Sequence, residues 1–325
     1  SNIGFSYSEA FISSFLPGLG TSRDLGKISG YAWGLGYMGG LTSTAIVIFG
    51  LGAGVYTLAN ISHLRWVGPA TGLFFLIAAI PTFLWVRERT LARVLPPNEN
   101  YFSIGVKRLQ KTFIDIRDYK DLIVLLSSFF FAYAGLSIVI AFAFIYGDQV
   151  IRWTGKTQIL MFVITQFTAA GGALLFGVLQ DVWGAKRTFI LTLIIWVAAV
   201  SLIYGVAPVT AWVNGLAGTT LKEEHIFLLI GSIAGLGLGS TQSACRAMVG
   251  LFSPDTKAGE FFGLWSLTSR LSAIAGLMGL GLLQAWFGLH NAILVCSAFF
   301  FIAVVIVLFV DEERGKSTAR AHAGE

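Results

Sequence analysis

Eight nearly uncharged stretches of 19 residues or more dominate this chain, and they leave it one kind of solvent. They run approximately 28–54, 68–86, 121–147, 157–180, 187–207, 225–247, 260–285 and 289–310. A helix rises about 1.5 Å per residue, so about 20 apolar residues cross the roughly 30 Å hydrocarbon core of a bilayer. In lipid the backbone must satisfy its own hydrogen bonds, which continuous runs of this length do as helices. The expected fold is therefore all-α and polytopic, with eight transmembrane helices. Charged residues make up 12% of the 325 and mean hydropathy is +0.76, too little polar surface for a water-soluble body of this size. A further stretch, GFSYSEAFISSFLPGLG at 4–20, is too short and polar to span by itself.

Antiparallel spans alternate sides, so the connecting segments sort into two sets. Seventeen of the 22 Lys and Arg residues fall in one set, among them Arg87, Arg117, Lys186, Arg187 and Lys257. The other set holds Arg65, Arg152, Lys156 and Lys222, and Arg270 lies inside a span. Such a bias marks the basic side as cytoplasmic. It also accounts for the net charge of +5 without a nucleic-acid partner. Cys245 and Cys296 sit in separate apolar runs and the four histidines are scattered, a pattern that suggests no disulfide framework, metal centre or cofactor.

The longest polar connection, 87–120, is a cytoplasmic linker. Within it YFSIGVKRLQKTFIDI reads either as an amphipathic helix on the membrane face or as a packed connection between two bundles. Six spans follow it, at 121–310, and a cytoplasmic tail closes the chain at 311–325. Two spans and the short stretch precede it, at 1–86. That asymmetry matches one complete six-helix bundle and the remnant of another, as in transporters built from repeated helix groups.

The turn GVLQDVWGAKR, Gly177 to Arg187, interrupts two of these spans. Gly177 and Asp181 are four apart, hence on one helix face. The glycine admits a neighbouring helix, and Asp181 is positioned to meet that helix's N-terminus or a basic side chain. Gly184 permits a sharp turn. Lys186 and Arg187 open the next helix, where the dipole disfavours them and a carboxylate partner is expected. The turn reads as a gating latch or as a charged marker of topology.

That order of Gly, Asp, Gly, Lys and Arg resembles the loop motif of the major facilitator superfamily. SGYAWGLGYMGG at 29–40, GLGLGSTQSACRAMVGLFSP at 235–254 and EFFGLWSLTSRLSAIAG at 260–276 are similar to its UMF1 branch, which includes vacuole effluxer-like proteins. The resemblance implies a major facilitator-type bundle in which the eight spans are helices 5–12, residues 1–16 end helix 4, and helices 1–4 precede Ser1. Gln242, Ser243 and Arg246, near the cytoplasmic end of their span, match a Q-S-x-x-R-like element of the branch; Gln242 is a candidate for the solute path and Arg246 for gating. For Arg246 the residues alone allow snorkelling to lipid headgroups equally well. The branch carries Asn-Asp-Gly where this chain reads Tyr133, Ala134 and Gly135, so the resemblance implies no proton coupling through that aspartate.

Arg270 lies about 15 Å into its span, a depth that requires a partner, a cavity or the bundle interior. It is expected to attract the carboxylate of a small anionic or zwitterionic solute. Gln166 is an interior polar candidate, and Trp33 and Tyr37, four apart, line either the cavity or the lipid. Glycines every four residues, at 231, 235 and 239, allow close helix contact, whether static or sliding. The leading expectation is a secondary active transporter of a small polar or anionic solute in a bacterial cell membrane, and not an enzyme. The alternatives are a membrane enzyme subunit and a non-transporting scaffold or sensor; no H-E-x-x-H or nucleophile–base pattern supports the enzyme. Cysteines placed singly at Lys186 and Lys222 should be labelled by an impermeant reagent from opposite sides of the membrane. Labelling from one side would overturn the threading.

Overall fold

The computed structural model describes residues 2–50, 61–86, 100, 103–105, 107 and 116–322. Ten helices organise them, beside one-turn helices at Leu16–Leu19 and Ile61–Leu64. They are α1 (Asn2–Ser14), α2 (Leu25–Ala45), α3 (Val67–Trp85), α4 (Lys120–Tyr146), α5 (Gly155–Trp183), α6 (Ala185–Tyr204), α7 (Val206–Ala217), α8 (Glu223–Phe252), α9 (Ala258–Leu308) and α10 (Glu312–Ala321). Among the described residues seven helical segments are long and apolar enough to cross a membrane. The polytopic all-α architecture follows.

The last two expected spans, 260–285 and 289–310, both fall within α9, Ala258–Leu308, as two helices that meet at a kink. Its single non-helical residue is Gly288, at φ 76° and ψ 161°, a conformation that costs a side-chain-bearing residue far more than glycine. Both ends of α9 lie against the start of α4: Phe261 packs edge-on to Tyr119 at 4.9 Å, and the Asp311 amide donates to Asp121 at 2.7 Å. The chain therefore reverses at Gly288, and α9 makes two crossings, 258–287 and 289–308. No polar loop separates them, because a single left-handed glycine makes the turn.

In chain order α1–α3 make a first group and α4–α10 a second, whose buried core is drawn from α4, α6, α8 and α9. Leu122, Leu125, Phe129, Ala132 and Leu136 are buried along α4. Phe129 meets Phe189 of α6 edge-on at 5.1 Å, and Trp196 of α6 stacks on Phe300 of α9 at 5.1 Å and 6°. Contacts between α5 and α8 depend on small residues instead. A Cβ at Gly239 would collide with the Ala169 carbonyl, and one at Gly172 with the Leu236 carbonyl. Lipid tails are as apolar as these side chains, so close van der Waals contact holds the pair together.

The α2 helix, from the first group, crosses α5 through the same device, with Gly26 and Gly30 against Gly177 and Ala173. α1 lies along the first limb of α9. Outside these contacts the surface is apolar: α3 buries none of its residues, and Phe83 is 84% exposed. Two helices were not expected from the sequence. α7 extends the connection after α6, and α10 orders the tail. The amphipathic reading of 101–116 falls largely outside the described residues.

Gly239→Ala should lower the thermal unfolding midpoint in detergent by the equivalent of about 1–3 kcal/mol, the usual cost of forcing volume into a packed site. Gly279→Ala, whose Cβ would meet nothing within 4 Å, should leave the midpoint unchanged. Equal effects would show that the α5–α8 crossing is not close-packed.

Candidate functional site

The charged turn joins three helices at one end of the bundle. Asp181 accepts hydrogen bonds from the backbone amides of Gly26 at 2.9 Å and Lys27 at 2.8 Å. These are the first amides of α2, which have no partner within their own helix. The approach depends on glycine at both sides: a Cβ on Gly177 would lie 2.7 Å from the Gly26 carbonyl, and one on Gly26 would lie 2.5 Å from Asp181 itself. Gly184 takes φ 98° between α5 and α6.

The next part of the turn differs from expectation. A carboxylate does arrive, Glu312 of α10, but it accepts from the backbone amides of Ala185 at 3.2 Å and Lys186 at 2.8 Å. The Lys186 ammonium instead donates to the carbonyls of Leu308 and Val310, at 2.8 and 2.7 Å. Each group thereby meets the helix end of opposite polarity: carboxylate at an N-terminus, ammonium at a C-terminus. Burial alone would raise the Glu312 pKa, but the Lys316 ammonium at 2.7 Å and the two amides outweigh it and hold the pKa below the ordinary value. The cap is thus charged at neutral pH, and the stability it contributes is lost as pH falls through that lowered pKa. Arg187 is exposed, with no ion pair among the described residues.

Farther into the membrane, α2 and α8 share a polar seam. Arg246 donates to the Ser29 hydroxyl at 3.0 Å and the Ser29 carbonyl at 2.8 Å, and Ser29 donates to the Ser243 carbonyl at 2.8 Å. The Arg246 guanidinium also lies over the Trp33 ring, 5.6 Å from its centroid, a favourable cation–π arrangement. The arginine thus turns inward rather than snorkelling to headgroups. One turn deeper, the Tyr37 hydroxyl donates to Gln242, so Tyr37 faces the neighbouring group and not lipid. Among the described residues the buried Trp33 Nε1 and Ser243 Oγ atoms have no hydrogen-bond partner.

Arg270 does not stand alone. Its guanidinium pairs with Glu9 of α1 at 3.0 Å, and the two side chains are 45% and 24% exposed. Glu9 belongs to the short stretch that sequence reasoning left out of the membrane. Its signal was present nonetheless: a lone acid and a lone base, each embedded in apolar sequence, are one another's cheapest partners. Trp33, Tyr37, Gln242, Ser243 and Arg246 form one patch, and Arg270 pairs separately with Glu9. Gln166 lies apart, beside Gly40 and in the wall of an apolar cavity of about 210 Å³ with Trp153, Trp196 and Phe227. Ser29, Glu9 and Glu312 are the residues sequence reasoning missed; Ser29 carries no signal readable without its neighbours.

Residues 20–320 match the family described as "Vacuole effluxer Atg22 like". Among curated relatives, Autophagy-related protein 22-1 of Emericella nidulans is 26% identical over 95% of this chain and 54% of its own length. An uncharacterized MFS-type transporter, YxiO of Bacillus subtilis, is 26% identical over 96% of this chain and 70% of its own length. The chain thus spans about half the length of the fungal relatives it matches. A crystal structure of a bacterial homologue of the iron transporter ferroportin, in an outward-facing state, superposes with a TM-score of 0.61 at 15% identity, over 94% of this chain and 69% of that one. That likeness and the helices described above show a multi-pass, all-α integral membrane fold. With all but its first 19 and last five residues inside the family match, the chain belongs to the Atg22-like vacuole effluxer family.

Proposed function

We propose that the chain is part of a secondary active transporter that moves a small anionic or zwitterionic solute by alternating access. One observation carries this reading: helices of the first group meet those of the second through separable contacts. Asp181 on α2, Arg246 on Ser29, Tyr37 on Gln242 and Glu9 on Arg270 are all hydrogen bonds or ion pairs. Beneath them lie glycine faces, which part without unlocking interdigitated side chains. Such an interface suits two groups that rock against each other around a site between them. Arg270, Gln242, Trp33 and Tyr37 are the residues proposed to face the solute, with Gln166 deeper in the path. Gly177, Asp181, Gly184, Lys186 and Arg187 form the proposed cytoplasmic latch, which Ser243 and Arg246 extend.

An enzymatic reading gains nothing from the described histidines. His290 bonds Tyr146 at 2.9 Å, and His322 bonds the Thr318 carbonyl at 2.9 Å. The membrane we propose is that of a bacterial cell. The fuller length match to the Bacillus protein than to the fungal ones supports it.

Two measurements test these roles. In proteoliposomes offered labelled mono- and dicarboxylates and amino acids, Arg270→Ala should slow uptake of anions about tenfold or more, as loss of a charged hydrogen bond predicts. Equal rates would remove Arg270 from the solute path. For the latch, spin labels at Ser22 and Arg320, which face a cleft of about 220 Å³, would be introduced with Cys245 and Cys296 replaced by alanine. Asp181→Asn should increase the long-distance population about 2- to 30-fold, the range of a carboxylate–dipole contact. An unchanged distance distribution would reject the latch.

A further inference from the structure

We infer that the second helix group holds a binding site for a small planar aromatic molecule of the indole or phenol class, one or two rings carrying a single hydrogen-bonding group. The site is the apolar cavity of about 210 Å³ between α4, α5, α6 and α8. Occupancy there needs no movement of solute, so the inference stands apart from the transport reading.

Position separates this cavity from the polar patch. Its wall comes from the second halves of α4 and α6 and the first halves of α5 and α8. That is the end of the group remote from the charged turn. Gln242, Arg246 and Arg270 lie outside the wall, and Gln166 is its one residue shared with the proposed solute path.

Shape and surface give the ligand its class. Phe144, Trp153, Phe162, Trp196 and Phe227 line the cavity. Three of them brace one another edge-on, Phe144 with Trp153 at 5.4 Å and Trp153 with Phe227 at 5.5 Å. Trp196 is fixed by its stack on Phe300 and by its Nε1, which donates to Thr241 at 3.1 Å. Gly147 lies close against Trp153, where a Cβ would come within 2.6 Å of the ring. The walls are therefore preformed, which spares a ligand the cost of ordering them. Aromatic walls favour an aromatic guest, whose edges and faces complement theirs. An apolar cavity of about 150 Å³ takes up benzene, so this one has room for a second ring.

Polar content fixes the remaining feature. Thr165 and Gln166 bring a hydroxyl and an amide to the wall, and among the described residues neither side chain has a hydrogen-bond partner. A buried water needs about three hydrogen bonds, and two adjacent groups on one helix do not supply them across the whole space. A lipid acyl chain would fill the volume and leave the amide unpaired, which is costly away from water. An indole N–H or phenol O–H that donates to the Gln166 Oε1 satisfies the amide while its rings cover the apolar wall.

The test is equilibrium dialysis of radiolabelled indole, and of benzothiophene, which has the same shape without the N–H. The protein is held in nanodiscs, and empty nanodiscs of the same lipid correct for partition. Wild-type protein should bind both molecules at a single saturable site. Ala143→Phe, which adds a ring at the cavity wall, should abolish both. Gln166→Leu keeps the bulk and removes the amide, so it should weaken indole about 2- to 12-fold, the range of one hydrogen bond, and leave benzothiophene unchanged. That variant carries the test alone should Ala143→Phe fail to fold. No saturable binding, undiminished binding in Ala143→Phe, or equal effects of Gln166→Leu on the two molecules would overturn the proposal. So would native mass spectrometry in which wild type holds a phospholipid that Ala143→Phe loses, since the cavity then belongs to an acyl chain. Solute uptake enters none of these readouts, and the transport reading stands or falls separately.

Discussion

A helix start exposes backbone amides that its own turns cannot satisfy, and at the edge of a membrane water is scarce. This chain answers by aiming a carboxylate from one helix at the start of another. Asp181 of α5 serves α2, and Glu312 of α10 serves α6. Asp121 of α4 receives the amide that leads into α10, together with both arms of the Arg314 guanidinium at 2.6 and 2.8 Å. Glu224 of α8 takes the Thr154 amide at 2.9 Å and the Thr157 hydroxyl at 2.8 Å, where α5 begins. Each contact sets one helix's height and rotation against a neighbour. Together with the close glycine contacts, these caps set the register.

Their placement is uneven between the two helix groups. Three of the four connect helices within residues 120–322, where aromatic stacking and buried leucines also hold. Only the Asp181 cap crosses to the first group. There it is backed by glycine against glycine and by a seam of Ser29, Trp33, Tyr37, Gln242 and Arg246. That boundary is held by hydrogen bonds and close glycine contacts, whereas α4, α6 and α9 meet through whole aromatic side chains.

Legibility in the sequence divides along related lines. Span positions were readable to within a few residues, because a lipid solvent allows one backbone solution and demands a minimum length. The charged turn was readable because glycine, aspartate and a basic pair have few other uses between two apolar runs. Arg270 stood out as a costly charge. Its partner did not: Glu9 lay in a stretch too short to count as a span, and 261 positions separate the two. The expected carboxylate for Lys186 was correct in chemistry and wrong in recipient, since a helix N-terminus competes with an ammonium for the same anion. The break between the spans at 260–285 and 289–310 was readable too, and Gly288 falls inside it.

By itself, then, the sequence determined the solvent, the helical class, the alternation of sides and the face on which basic residues collect. All of these follow from local composition against a bilayer of known thickness. Tertiary structure decided which carboxylate caps which helix, that Arg246 turns inward to Ser29, and that Arg270 is held by Glu9. Those are pairings between segments distant in the chain. Many partners satisfy a lone charge or an open helix end equally well on paper, and only the packed geometry selects among them.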